Sequence, residues 1–199
     1  MNCKGDGMLV LVGPSASGKT ESAKIMINRY HISRVVTCTT RPKRLNEIDG
    51  FDYHFLSEER FLLKKEQGYF IETTEYNGYY YGTPRNELGD DKFIILEPKG
   101  LQSFLHLDKD VVSIFLKTKE DVRINRMKQR KDRLKDIKAR IQEDKKEFNL
   151  DEIKGLDLII DTTDLTLSEV ADLIYKNYID ILVKKKSNVN QLSLFEEEL

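Results

Sequence analysis

Two groups of residues in this sequence carry the means for phosphate chemistry. The first is the octapeptide Gly13-Pro14-Ser15-Ala16-Ser17-Gly18-Lys19-Thr20, which fits the spacing G-x-x-x-x-G-K-S/T. Such a loop turns backbone N–H groups toward one point, and a helix behind it adds the positive end of its dipole, so together they form an anion site. Lys19 would bring a mobile positive charge to the β- and γ-phosphates of a nucleotide, and the Thr20 hydroxyl would ligate Mg²⁺. The second group is Arg41 and Arg44, followed by Tyr53. Arginine forks bind phosphate bidentately, and a tyrosine hydroxyl adds a further donor. Taken alone, such a pair is an ordinary solvated surface feature. It gains weight here because it follows a strand beside the strand that carries the loop. The loop by itself names no acceptor for a phosphoryl group.

The surrounding chain supplies the elements that must position these side chains. Met8-Leu9-Val10-Leu11-Val12 is a short apolar run suited to a buried strand, and Ala23, Ile25, Met26, Ile27 and Tyr30 are the apolar positions of a helix after the loop. Further strands are expected at 34–37, 93–96, 111–116 and 156–160. Helices are expected at 19–30, 98–107, 119–129, 134–148 and 167–176. This alternation predicts an α/β core in which a parallel sheet is flanked by helices. Residues 39–89 break the rhythm. They hold aromatic strand-like pieces at 51–55, 69–76 and 79–81 around one helix, 58–67, with Ser57 as its N-cap. That pattern reads as an inserted small β-rich lobe, with Tyr69, Tyr79 and Tyr80 used for packing.

The length of 199 residues suits one domain with inserted subdomains, and 39% hydrophobic residues suffice for a core. A formal net charge of −1 gives no global pull toward nucleic acid or membrane. The densest basic stretch comprises Arg123, Arg126, Lys128, Arg130, Lys131, Arg133, Lys135, Lys138 and Arg140. It reads as a solvated helix face, or as a run paired with Asp121, Asp132 and Asp136. It lacks interleaved aromatic residues, so direct nucleic-acid binding is not expected. No run is apolar and long enough to span a bilayer, and the N-terminus has no apolar segment of the signal-peptide kind. The two cysteines, Cys3 and Cys38, fit no metal spacing and suggest a reducing, cytoplasmic setting.

The segment Thr39-Thr40-Arg41-Pro42-Lys43-Arg44-Leu45-Asn46-Glu47-Ile48-Asp49-Gly50-Phe51-Asp52-Tyr53-His54-Phe55 follows the pattern T-T-R-x-x-R-x-G-E-x-x-G-x-D-Y-x-F almost throughout. With the loop, it resembles the guanylate kinase family from Met8 to Lys176. The resemblance implies a nucleoside monophosphate kinase fold: a P-loop core at 1–38 and 90–183, a GMP-binding lobe at 39–89 and a helical lid near 126–140. It implies transfer of a phosphoryl group from ATP, with Mg²⁺, to GMP or dGMP in purine nucleotide metabolism. Gly13 to Thr20 would hold ATP. Arg41, Arg44, Tyr53 and Tyr81 would hold the GMP phosphate, and Thr37, Glu72 and Thr83 match positions that read guanine. Lys19, Arg41 and the lid arginines Arg126, Arg130 and Arg140 would act on the transferring group. Glu72 also makes chemical sense alone, because one carboxylate can accept from both N1–H and N2–H₂ of guanine, whereas adenine offers an acceptor at N1. A site built for those donors rejects analogues that lack them.

Three departures from the family pattern stand out. Ala16 replaces a loop glycine, an exchange that costs little if its φ is negative. Asn46 replaces the motif glycine, and asparagine tolerates left-handed backbone better than most residues. In Ile94-Ile95-Leu96-Glu97-Pro98-Lys99-Gly100, Ile95 and Glu97 stand where the family has two aspartates. The loss at Ile95 removes support for Mg²⁺-bound water, while Glu97 keeps a carboxylate that can reach the guanine side. These changes leave open a kinase of the same fold with another phosphorylated acceptor. A non-catalytic protein-binding module is a further reading, which the intact Gly18-Lys19-Thr20 disfavours. After Lys184-Lys185-Lys186 a flexible tail, 184–199, is expected. Its Gln191-Leu192-Ser193-Leu194-Phe195 resembles the motif Q-L-S/D-L-F that binds the bacterial sliding clamp.

Overall fold

The computed structural model describes residues 7–43, 45, 47–76, 78–107 and 110–196, the side chains of Tyr76 and of 188–196 excepted. In chain order the elements are β1 (Met8–Val12), α1 (Lys19–Tyr30), β2 (Ser33–Arg34), β3 (Cys38–Thr39), β4 (His54–Phe55), α2 (Glu58–Glu66), β5 (Phe70–Tyr76) and β6 (Tyr79–Pro84). There follow β7 (Lys92–Ile95), α3 (Pro98–Leu105), β8 (Val111–Lys117), α4 (Glu120–Gln129), α5 (Leu134–Glu147), β9 (Leu158–Asp161) and α6 (Leu167–Glu196). Among the described residues no helix is long and apolar enough to cross a membrane.

β1 is apolar at every position because both of its faces are covered. It lies at the centre of a five-stranded sheet of order β2-β7-β1-β8-β9, and all of its pairings are parallel. Alternate side chains go to opposite faces. Leu9 and Leu11 join Ala23 and Met26 of α1 and Ile174, Tyr178 and Leu182 of α6. Met8, Val10 and Val12 join Leu101 and Phe104 of α3. The register sets Leu11 beside Ile95 on one side and Ile114 on the other, so β1, β7 and β8 deliver their carboxyl ends to one edge. In open parallel sheets that edge is where ligands bind.

The inserted lobe is a four-stranded mixed sheet of order β4-β3-β6-β5. α2 packs against it, its start capped by the Ser57 hydroxyl accepting from Arg60 N at 3.3 Å. The fully buried Phe61 stacks on Phe70 at 4.6 Å and on Tyr80 at 5.5 Å. A Cβ on Gly82 would meet the Phe70 ring at 2.9 Å, so glycine is needed where this aromatic stack crosses β6. Tyr79, expected in the packing, is instead 37% exposed.

Of the strand-like piece expected at 51–55 only His54–Phe55 is a strand, and two other departures from the sequence-based expectation are larger. In place of the strand expected at 34–37, β2 ends at Arg34 and β3 begins at Cys38, in different sheets: β2 pairs with β7, and β3 with β4 and β6. The chain changes sheets at Thr37, whose carbonyl accepts from His54 N at 2.9 Å. The second departure is α6, which continues to Glu196 through most of the stretch expected as a tail. Residues beyond Lys176 still have a core to cover, since Tyr178 and Leu182 are buried. The backbone of Gln191 to Phe195 belongs to this helix, while their side chains and residues 197–199 lie outside the described residues.

The Tyr178 hydroxyl donates to Gly7 O at 2.7 Å in a buried position just before β1. Gly7 O also accepts from Asp91 N at 3.2 Å, so Tyr178→Phe removes one of two donors and is expected to lower unfolding stability by about 0.5–1.5 kcal/mol. A urea titration with unchanged slope would show this.

Candidate active site

The phosphate loop begins where β1 ends, beside its parallel neighbour β8. Gly13 has φ 152°, and a Cβ there would lie 2.6 Å from Leu116 O, so only glycine permits this close approach. Gly18, at φ 103°, turns the chain into α1. The loop is supported from beneath. Ser17 O accepts from Thr162 Oγ1 at 3.1 Å and Thr118 Oγ1 at 3.5 Å, both hydroxyls buried. Lys19 Nζ folds back on the loop and donates to Gly13 O, to Pro14 O at 2.8 Å and to Ser17 Oγ at 3.5 Å. Burial lowers its pKa to about 8, against the raising effect of Asp144 and with a further lowering from Arg123.

Ala16 corrects the sequence reading. Its φ is 61°, in the left-handed region rather than the negative one. For a residue with a Cβ that costs about 1–2 kcal/mol. The methyl group has a use, because Ala16 packs against Met127 of α4 and Ile137 and Ile141 of α5. Ala16 O also accepts from Arg126 Nη1 at 3.2 Å. The exchange of glycine for alanine thus seats the helical pair α4–α5 on the loop.

Two residues that the sequence did not single out sit at the centre of this arrangement. Arg123 is 5% and Asp144 6% exposed, so Arg123 does not belong to the expected solvated face. The two form an ion pair between α4 and α5. Asp144 also accepts from Ser15 N at 3.1 Å and Ser15 Oγ at 3.1 Å, while Arg123 Nη1 donates to Ser15 O at 3.2 Å. The Ser15 N–H, expected to face donor phosphates, is therefore held by a carboxylate. The pair occupies positions of opposite charge within two highly charged helices, where no hydropathy pattern marks burial.

One cavity of about 550 Å³ joins the loop to the inserted lobe. Gly13, Ser15, Lys19 and Thr20 line it from the loop, and Thr37, Tyr53, Glu72, Tyr81 and Glu97 from the acceptor side. Pro14, Ala16, Ser17 and Gly18 shape the loop from outside this lining. Thr83 is fully buried and acts through Glu72, donating from Oγ1 to Glu72 Oε1 at 2.6 Å. Burial raises the Glu72 pKa, and that hydrogen bond works against the rise. Glu97 is also raised, by desolvation first and then by Glu147 and Glu72. Arg41 lies beside Tyr53, its Cζ 5.6 Å from the ring centre, and pairs with Glu47 at 2.6 Å. Arg44 and Asn46 lie outside the described residues.

Of the lid arginines, Arg126 bridges the core, with Nη2 donating to Thr162 O at 3.2 Å, and burial lowers its pKa. Arg130 and Arg140 share Asp132, at 2.7 Å and 3.3 Å. Arg140 also lines the cavity. Among the described residues no group of three or more His, Cys, Asp or Glu side chains could hold a metal ion. The Thr20 hydroxyl lies on the cavity wall, where it is a loop side-chain oxygen available to a cation.

A strand–loop–helix anion site facing an inserted lobe across one cavity defines a P-loop α/β protein of the nucleotide-binding class. Residues 6–177 match the family model described as guanylate kinase. The chain is 30% identical over 198 residues to a guanylate kinase of Wolbachia pipientis wMel, covering 94% of this chain and 98% of that one. It is 38% identical over 121 residues to one of Symbiobacterium thermophilum, an alignment spanning 57% of each. With one of Thermotoga maritima it shares 40% over 95 residues, 46% of that protein, so the chain spans about half the length of these two relatives. The crystal structure of a guanylate kinase from Anaplasma phagocytophilum superposes with a TM-score of 0.67 at 25% identity, covering 90% of this chain and 87% of that one. The chain belongs to the guanylate kinase family.

Asp144→Ala leaves the Arg123 guanidinium buried without its carboxylate and is expected to cost about 3–5 kcal/mol of stability. The double variant Arg123→Met with Asp144→Leu is expected to recover only part of that loss, because Ser15 N, Oγ and O lose these partners. Denaturant titration of the three proteins measures both effects.

Proposed function

We propose that the chain transfers the γ-phosphoryl group of ATP to GMP or dGMP, giving ADP and GDP or dGDP. The observation that carries this reading is the placement of Glu72. Its carboxylate, fixed by Thr83, lines the same cavity as Lys19 and faces it from the lobe side. A desolvated carboxylate with a raised pKa seeks donors, and the adjacent N1–H and N2–H₂ of guanine supply two. Arg41, Arg44, Tyr53 and Tyr81 hold the acceptor phosphate, whose ionised oxygen needs no protein base.

Phosphoryl transfer asks the protein for in-line placement, charge neutralisation and exclusion of water. Backbone N–H groups of the loop and Lys19 hold the donor phosphates. The Thr20 hydroxyl would hold Mg²⁺ together with the nucleotide, and the ion would supply charge neutralisation there. Arg126 reaches the loop already, and Arg130 and Arg140 exchange Asp132 for phosphate oxygens when the lid closes. Ile95 and Glu97 favour a second reading, a kinase of this fold with a different phosphorylated acceptor, because Ile95 leaves an apolar side chain at the cavity wall.

Coupled ADP release with GMP, dGMP, AMP, UMP and CMP separates the two readings. Turnover with GMP or dGMP far above the others is expected, and equal rates would overturn the guanine assignment. Glu72→Gln is expected to lower kcat/KM for GMP about a hundredfold, the scale of two charge-assisted hydrogen bonds.

Lys19 sets a pH dependence for the donor. Its free-state pKa of about 8 is raised when phosphates bind, so the ammonium form is the one that binds. Affinity for ATP is therefore expected to be flat below pH 8 and to fall about tenfold per unit above it. Calorimetry across pH 7 to 10 tests this, with Lys19→Met losing the dependence.

A further inference from the structure

β2 ends at Arg34, on the carboxyl edge of the sheet. The backbone on both sides of it is fixed, since Ser33 N donates to Asp91 O and Val35 N to Phe93 O, each at 2.9 Å. The side chain lines the same cavity as Lys19, Tyr53 and Glu72. Its guanidinium carbon lies 5.7 Å from the centre of the Tyr53 ring, and that of Arg41 lies 5.6 Å from the same ring. Two cations therefore share one tyrosine at the acceptor end of the cavity.

Their commitments differ. Arg41 Nη2 is held by Glu47 at 2.6 Å and Nη1 by Pro42 O at 2.8 Å. For Arg34 the aromatic contact is the interaction found, and among the described residues no carboxylate or carbonyl is bonded to its guanidinium. A ring face satisfies none of the five N–H donors of a guanidinium. An arginine so placed, beside a cavity and with its donors uncommitted, matches a bidentate oxyanion. Glu72 shares the cavity but is engaged with Thr83, and Glu97, the N-cap residue of α3, makes no side-chain cap bond there and none to Arg34 among the described residues.

We propose that Arg34 is a ligand of the acceptor's 5′-phosphate: its guanidinium donates to two phosphate oxygens while Tyr53 holds it in place. The inference rests on the acceptor site proposed above. It adds a residue from the core sheet to a phosphate site otherwise built by the lobe. Binding of the acceptor then ties the lobe to the core through one anion.

Steady-state kinetics of wild type, Arg34→Met and Arg34→Lys tests the assignment, with GMP varied at saturating ATP and guanosine as a competitor that lacks the phosphate. The expected result for Arg34→Met is a KM for GMP raised about tenfold or more, with the KM for ATP and the inhibition constant of guanosine within twofold of wild type. Arg34→Lys is expected to recover part of the loss. An unchanged KM for GMP would overturn the proposal, as would a parallel loss of guanosine inhibition, which would place Arg34 on the base. A rise in both substrate KM values together with a lowered melting temperature would make the residue a packing element and also overturn it. Wild-type turnover of GMP in the same assay reads the acceptor assignment independently. A wild type inert toward GMP would sink that assignment and this inference with it.

Discussion

The structure depends on one close approach. Where β1 ends, the loop passes so near the Leu116 carbonyl that position 13 has no room for a Cβ. That contact lets the chain leave β1 close beside β8 and turn into α1, which brings loop N–H groups to a helix start. The rest follows from holding this turn. Thr118 and Thr162 hold Ser17 from below, Arg126 and the Ala16 methyl attach α4 and α5 from above, and Asp144 fixes Ser15 from the side. A loop this constrained is preorganised for an anion, so little ordering remains to be done when a nucleotide arrives.

Charge gives the second constraint. The cavity carries five carboxylates, on Glu72, Glu97, Glu143, Asp144 and Glu147, beside the cations of Lys19, Arg34, Lys99 and Arg140. Desolvation first, and then the nearby acids Glu147 and Glu72, push Glu97 upward, and burial pushes Lys19 downward. Each shift marks a group whose charged form awaits a partner. Nucleotide phosphates answer the cations, and guanine donors answer the Glu72 carboxylate. Several cations around the cavity spend their hydrogen bonds internally, Lys19 on loop carbonyls, Arg41 on Glu47, and Arg130 and Arg140 on Asp132, whereas among the described residues Arg34 does not.

Much of this was legible in the sequence because it rests on local spacing. The octapeptide, β1, α1 and the Ser57 cap of α2 depend on neighbouring residues, and all lie where the sequence puts them. What was not legible depends on partners distant in sequence. Arg123 and Asp144 look like surface charges in helices full of them, and only the packing of α4 against α5 buries them together. The left-handed Ala16 follows from the loop's path rather than from its own preference. The continuation of α6 past Lys176 follows from the sheet face that Tyr178 and Leu182 help to cover, a tertiary demand that the local pattern does not show. Likewise the split of the expected second strand follows from two sheets competing for one segment.

The central claim is that the loop and the lobe bind donor and acceptor at the same time on one line of transfer. A single ligand tests it: adenosine and guanosine joined 5′ to 5′ through five phosphates, titrated by calorimetry in the presence of Mg²⁺. Linking the two halves should make the second contact intramolecular, so affinity about a hundredfold or more above that of ATP alone is expected. The diadenosine analogue should bind well below it. Affinity for the mixed compound no greater than that for ATP would contradict the account.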